Sequence, residues 1–357
     1  MVLPREANLS EIRSKVTPWL QKKMPQAENL SMSGMKRPES GNSTETFLFD
    51  LSWGEAGQHR SEGMVLRRPP QSPLFPDYDL RRQVGVMQHL QGTNIPVPRV
   101  CWLERDESIL SAPFYIMGKI EGNAPSDYPS YHSVGVYYDA TPQQRAKMWW
   151  GCVEAIAKIH KLDWRNLSLS FLGVPKEGIG FLDGFLDYYK QYLNWVKENP
   201  QEPQPIMEAA LQWLKENQYA PEHITLCWGD SRMSNILYGP DFEVRAVLDW
   251  EIAYLADPES DLGWLFFLEW ANTESSGIPP LEGTPGREET VQRYEELTGW
   301  KVRNLLYNEV LACVRLGVTM FRMYKIIRKA GIPLPEGYEL NNYVTQRLAS
   351  LLGLPPP

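Results

Sequence analysis

Three residues within one short stretch have the types and the spacing that phosphoryl transfer needs. The segment Leu226-Cys-Trp-Gly-Asp-Ser-Arg-Met-Ser-Asn-Ile-Leu-Tyr238 sets Asp230 and Asn235 at the two ends of a loop, and Val247-Leu-Asp-Trp-Glu251 follows with Asp249. Between them, 236–238 and 244–248 read as short apolar strands joined by the turn Gly239-Pro240-Asp241. Such a hairpin returns Asn235 and Asp249 to the same end of the sheet. A carboxylate and an amide oxygen side by side are hard ligands, suited to Mg²⁺ carried in on a nucleotide. Asp230, one loop away, is then placed to orient or deprotonate a hydroxyl attacking a terminal phosphate. Each residue alone would be an ordinary cap or turn residue. The joint spacing carries the reading.

Composition sets the frame for that site. A chain of 357 residues has room for two lobes with cores of their own. Its net charge of −8 argues against nucleic acid or an anionic membrane as partner, whereas a nucleotide needs only a local cluster of positive groups. Cys101, Cys152, Cys227 and Cys313 show no paired spacing and sit in apolar contexts, as free thiols of a reducing cytosol do. The start is too polar for a signal peptide, and the most apolar run, 262–270, is too short to span a bilayer, so a cytoplasmic location is expected. There is no Walker A or Gly-x-Gly-x-x-Gly pattern, and no cluster with zinc-ligand spacing.

The stretch resembles the catalytic segment of aminoglycoside phosphotransferase-like kinases, a family that includes choline kinase-type enzymes. Members carry His-Gly-Asp-x-x-x-x-Asn, a hairpin, Asp-Trp-Glu, and then Asp-Pro-x-x-Asp-Leu. This chain reads Trp228-Gly-Asp230 to Asn235, Asp249-Trp-Glu251 and Asp257-Pro-Glu-Ser-Asp-Leu262, with Trp228 at the place of the usual scaffold His. The resemblance implies an α+β, two-lobed protein-kinase-like fold: an antiparallel β N-lobe over residues 1–119, with an N-terminal helix, and a mainly helical C-lobe over 120–357. It is specific at 226–262 and elsewhere is an ordering of elements.

The resemblance also implies roles. ATP would give its γ-phosphate to a hydroxyl of a small molecule, with Asp230 positioning or deprotonating that hydroxyl. Arg232 would help stabilise the transferred group, and Asn235 and Asp249 would hold Mg²⁺. Arg67 falls on the family's phosphate-binding Lys, and Gln83 on the Glu that usually pairs with it. The polar loop ending in Ser43 and Thr44 would cover the phosphates. In the strand-and-hinge segment 114–122, the backbone of Gly118 and Ile120 would meet the adenine edge, with Met117 beside the ring. Asp261 would brace the catalytic loop through backbone N–H groups, or simply cap the helix it begins.

The elements that position these residues follow from apolar periodicity. Helical spacing predicts helices over 10–23, 80–90, 142–162, 181–198, 203–217, 262–270, 289–297, 305–330 and 343–352. Alternation predicts strands over 28–33, 46–53, 64–70 and 100–103, and the segment 114–122 resembles the last strand of the N-lobe together with the hinge that follows it. The stretch 123–139 reads as a loop, and His160 as a packed histidine near a helix end. Phe185, Tyr188, Tyr189, Tyr192 and Trp195 recur at core-helix spacing on a helix that in the family walls the acceptor site, with Asp183 and Asp187 facing a cationic acceptor or solvent. So aromatic a wall, with scattered acids, suits an acceptor other than a polycationic antibiotic. The alternative reading is a non-catalytic nucleotide-binding pseudokinase or scaffold. Arg67 and Gln83 favour it, and the intact Asp230, Asn235 and Asp249 weigh against it.

Overall fold

Two periodicities, one of two residues and one near 3.6, divide the chain into an amino-terminal sheet and a carboxy-terminal set of helices. The computed structural model describes residues 8–38, 44–70 and 72–357. Helix α1 (Leu9–Lys23) starts where the Asn8 side chain accepts the N–H groups of Ser10 and Glu11, and it buries Ile12, Val16, Trp19 and Leu20. Strands β1 (Glu28–Lys36), β2 (Glu45–Glu55) and β3 (Gln58–Arg68) follow, then α2 (Leu80–Leu90), β4 (Val100–Glu104) and β5 (Phe114–Gly118). The strands form one antiparallel sheet in the order β1-β2-β3-β5-β4.

Alternation along these strands separates two cores, because successive side chains point to opposite faces. Phe47, Phe49, Met64, Leu66, Phe114 and Ile116 pack with α1 on the outer face, where Trp19 lies edge-on to Phe114. Val65, Tyr115 and Met117 face the other way, into the core shared with α2 and the helical lobe. The β2–β3 hairpin is longer than the sequence predicts. Its turn, Ala56-Gly57, has both residues at positive φ, and Gln58–Ser61 is exposed, so the apolar alternation that marks a strand is missing there.

The helical lobe begins with the short α3 (Gly135–Asp139), inside a stretch that reads as loop. Helix α4 (Pro142–His160) starts at a capping box between Thr141 and Gln144. Helices α5 (Asp183–Val196) and α6 (Pro205–Glu216) precede strands β6 (Thr225–Cys227), β7 (Ile236–Tyr238), β8 (Val244–Val247) and β9 (Tyr254–Ala256). β7 pairs with β8 and β6 with β9 in two small antiparallel ladders. Helices α7 (Glu259–Asn272), α8 (Arg287–Thr298), α9 (Leu305–Lys329) and α10 (Tyr343–Leu352) complete the lobe, with α5, α6, α7, α9 and α10 sharing one apolar core. No helix among the described residues is long and apolar enough to cross a membrane.

Helix α7 starts two residues before the expected Asp261. Asp257 Oδ1 accepts the Glu259 N–H at 2.9 Å, so Asp261 lies in the first turn rather than at the cap. That displacement matters for the site.

Candidate active site

The loop between β6 and β7 is held from below by buried carboxylate and ring groups. Asp261 is fully buried, and its two oxygens accept the backbone N–H groups of Trp228 (2.6 Å) and Gly229 (2.8 Å). His160, at the end of α4, lies 3.0 Å from the same carboxylate through Nε2 and 2.7 Å from the Tyr294 hydroxyl through Nδ1. It is a brace for Asp261, consistent with its packed reading. Cys227 sits within 4.8 Å of both, but the carboxylate and the ring are already bonded to each other and to the loop. Gly229 turns the loop at φ +89°, and a Cβ there would come within 2.2 Å of the Ile252 carbonyl, so the position requires glycine.

This bracing presents Asp230 at the loop's crest. Its Oδ1 accepts the Trp264 indole N–H at 2.8 Å and its Oδ2 accepts Asn235 Nδ2 at 2.7 Å. Burial raises its pKa, and the Arg232 guanidinium opposes that rise. Arg232 Nε lies 3.1 Å from Asp230 Oδ1, and its Nη1 donates to Asp127 Oδ2 at 2.8 Å, so the arginine bridges two carboxylates.

Asn235 and Asp249 come to the same hairpin end, tied by the Leu248 N–H donating to the Asn235 carbonyl at 2.8 Å. Asn235 Nδ2 also donates to the Asp230 carbonyl at 3.0 Å. Asp249 is held at φ +62°, a sparsely populated conformation for a residue with a side chain, of the kind that collects at functional sites. Arg67 donates to its Oδ1 from Nη1 (3.2 Å) and Nη2 (3.1 Å). Asn235 Oδ1 and Asp249 Oδ2 have no protein partner among the described residues. One amide and one carboxylate oxygen on neighbouring backbone fit a hard divalent cation.

The other expected residues divide. Arg67 reaches Gln83 Oε1 only at 3.4 Å, while Tyr115 donates to that oxygen at 2.9 Å, so Asp249 rather than Gln83 is the principal partner of Arg67. Thr44 is 2% exposed, and its hydroxyl lies 2.9 Å from Glu251 and 2.6 Å from the Tyr78 hydroxyl. It ties the sheet to the Asp-Trp-Glu segment instead of being displayed to a phosphate. Ser43 lies outside the described residues. At the hinge, the Gly118 N–H is spent on the Arg99 carbonyl at 2.9 Å, which leaves Gly118 its carbonyl. The backbone of Ile120 makes no hydrogen bond among the described residues, and Met117 lines the inner face with Val65.

Two residues that sequence reasoning missed complete the site. Trp264 lies one helical turn after Asp261 and so faces the same loop. Arg315 is a charge on the apolar face of α9, and that misfit was its only signal. Phe185, Tyr188 and Tyr189 of α5 line a cavity of about 470 Å³ together with Tyr78, Arg82 and Glu251, while Asp183 is bonded to Gln218 and Asp187 is exposed.

A profile of the phosphotransferase enzyme family matches residues 34–303, about three quarters of the chain, and takes in every residue of this site named above except Arg315. The chain belongs to that family. Among curated proteins, this family member is 31% identical over 207 residues to mouse acyl-CoA dehydrogenase family member 10, covering 56% of this chain and 18% of that protein. It is 29% identical over 232 residues to human acyl-CoA dehydrogenase family member 11, covering 61% of this chain and 28% of that protein. The chain thus matches less than a third of the length of either relative. Its fold is that of a putative aminoglycoside phosphotransferase from Ralstonia eutropha (TM-score 0.66, 21% identity, 95% of each chain). It is also that of the aminoglycoside phosphotransferase APH(4)-Ia in ternary complex with ADP and hygromycin B (TM-score 0.58, 16% identity, 95% of this chain and 98% of that one). A choline/ethanolamine kinase family protein from Mesorhizobium loti aligns at TM-score 0.53, with 14% identity over 90% and 89% of the two chains. The two-lobed kinase-like fold of this phosphotransferase is therefore established.

Proposed function

We propose that this phosphotransferase is a Mg²⁺-dependent kinase that moves the γ-phosphate of ATP to a hydroxyl of a small molecule. The observation that carries the reading is the convergence of three groups. The Asp230 carboxylate is fixed by Trp264 and Asn235, and among the described residues Asn235 Oδ1 and Asp249 Oδ2 carry no hydrogen bond beside it. Mg²⁺ on those two oxygens would neutralise charge on the nucleotide phosphates. Asp230, its pKa raised by burial, accepts or orients the proton of the incoming hydroxyl. Arg232 supplies positive charge near the transferred group, and Arg67 holds Asp249 and the inner phosphates. The nucleotide is read at the edge of β5, by the Gly118 carbonyl and Ile120 N–H, with residues 1–119 and 120–357 acting as the two jaws.

The acceptor is a small hydroxylated molecule other than a polycationic aminoglycoside. The cavity lined by the aromatic α5 residues Phe185, Tyr188 and Tyr189 has its acids Asp77, Asp79 and Glu251 offset by Arg82 and Lys176, which does not suit a dense cation. The chain is expected to act in the cytoplasm, apart from nucleic acid and membrane, as its charge of −8 indicates.

The test is ADP release from Mg·ATP against a panel of hydroxylated acceptors. Asp230→Ala is expected to lower turnover by about 10³ or more with ATP binding kept. Asp249→Ala serves as the metal control. Binding of Mg·ATP with no turnover on any acceptor, and no effect of either substitution, would reassign the chain as a non-catalytic nucleotide-binding protein.

A further inference from the structure

Arg315 lies on the buried side of α9, is 2% exposed, and makes no ion pair among the described residues. A guanidinium taken out of water without a carboxylate costs several kcal/mol, and an apolar residue at such a place is commonly neutral or stabilising. Its neighbours on the helix, Leu311, Val314 and Val318, are apolar and fully buried, so packing alone would ask for another aliphatic chain. The charge has a different use.

Its contacts converge on the residue that follows Gly229. Arg315 Nη2 donates to the Gly229 carbonyl at 2.8 Å, and Nη1 to the Tyr254 hydroxyl at 3.0 Å. The guanidinium sits over the rings of Trp264 (4.5 Å), Tyr254 (4.8 Å) and Phe185 (5.8 Å). Gly229 is the peptide immediately before Asp230, and Trp264 is the indole that donates to Asp230 Oδ1 at 2.8 Å. Arg315 therefore grips Asp230 twice without touching it: through the main chain on one side, and through the indole plane on the other. Among the described residues Arg315 Nε is buried with no hydrogen bond of its own, which packing alone does not explain.

We propose that Arg315 is a positioning residue for Asp230, fixing both the loop carbonyl and the indole that aim its carboxylate at the acceptor hydroxyl. This rests on the kinase reading of Asp230. A merely structural role would make Arg315 important for folding and leave chemistry and binding affected together. The positioning role separates them, because a base displaced by about 1 Å can lose about 10²-fold in rate while substrate still binds.

The experiment compares R315M and R315K with the wild-type chain in three readouts. Mg·ADP affinity is measured by calorimetry, and Mg·ATP turnover with water as acceptor gives kcat and KM. The third readout is the Trp264 indole N–H resonance in ¹⁵N spectra, identified by its absence in Trp264→Phe. R315M is expected to melt at or above the wild-type temperature and to bind Mg·ADP within about twofold. Its kcat should fall about 30- to 100-fold at near-constant KM. The Trp264 resonance should move while the other indoles stay, and R315K should recover part of the loss in kcat. Unchanged kcat and an unmoved Trp264 resonance in R315M would overturn the proposal. So would a fall in melting temperature and in nucleotide affinity that R315K does not relieve. If the wild-type chain binds no Mg·ADP, the kinase reading fails by itself, and the indole resonance still decides whether Arg315 holds Trp264.

Discussion

The indole N–H of Trp264 and one carboxylate oxygen of Asp230 meet at 2.8 Å, across 34 residues of sequence. The bond exists because Asp261, one turn earlier on α7, pins the loop from beneath through the N–H groups of Trp228 and Gly229. Trp264→Phe keeps an aromatic ring but removes the N–H donor together with the pyrrole part of the indole, so melting temperature is recorded beside activity. The carboxylate then loses one of two bonds fixing its orientation, at a cost of about 1–3 kcal/mol for a buried charged group. Turnover on any accepted acceptor should fall about 10- to 100-fold, while Mg·ADP affinity measured by calorimetry stays close to wild type. Equal loss of both would show that the indole supports the fold rather than the chemistry.

Asp249 combines a positive φ with a charge that Arg67 already holds. Asparagine tolerates that backbone conformation and its Oδ1 can still accept from Arg67, so the stability lost by Asp249→Asn is the charge part of that pair, about 1–3 kcal/mol. It loses the anionic oxygen, and Mg·ADP affinity should fall about tenfold or more. A β-branched substitution at the same place adds strain of about 1–3 kcal/mol, so Asp249→Val should lose stability as well. Calorimetric titration and thermal melting of the two variants side by side separate the roles of charge and backbone.

Glu259 gives the molecule a pH dependence away from the reaction. It is buried beside Asp257, accepts the N–H groups of Arg303 and Asn304 at the start of α9, and has its pKa pushed up to about 7, chiefly by burial. A carboxyl with a folded pKa above its unfolded one binds more protons when folded. Its contribution to stability is therefore present at low pH and is lost as pH rises from about 4.5 to about 7. Glu259→Gln should flatten that part of the stability profile, by about 1–3 kcal/mol across the window. Urea midpoints at pH 5 and pH 7.5 read the difference. A wild-type midpoint that rises over the same interval would contradict the assignment.

The convergence of Asp230, Asn235 and Asp249 was legible because the three are close in sequence and their spacing is set by a hairpin. Asp230, Asn235 and Asp249 needed only the turn at Gly239-Pro240 to be brought together. The sheet was legible where one face is dry. It was not at Gln58–Ser61, where exposed residues carry no alternation, nor at β6 and β9, three residues each, which are far apart in the chain and buried throughout. Arg315 and Trp264 could not be placed from the sequence, because their partners are set by how α7 and α9 pack. The partners of Thr44 were hidden for a related reason. A hydroxyl in a polar loop looks available until the fold brings Tyr78 and Glu251 against it.

That cluster of Thr44, Tyr78 and Glu251 has a kinetic consequence. It joins the second strand of the sheet, the approach to α2 and the segment just past Asp249. Spreading the jaws means parting these three groups and hydrating them. Closing the jaws returns them to one another. On the proposed kinase reading, the cluster is a latch in series with nucleotide exchange. Weakening it by Thr44→Val should then speed the departure of ADP, read by stopped-flow release of a fluorescent ADP analogue.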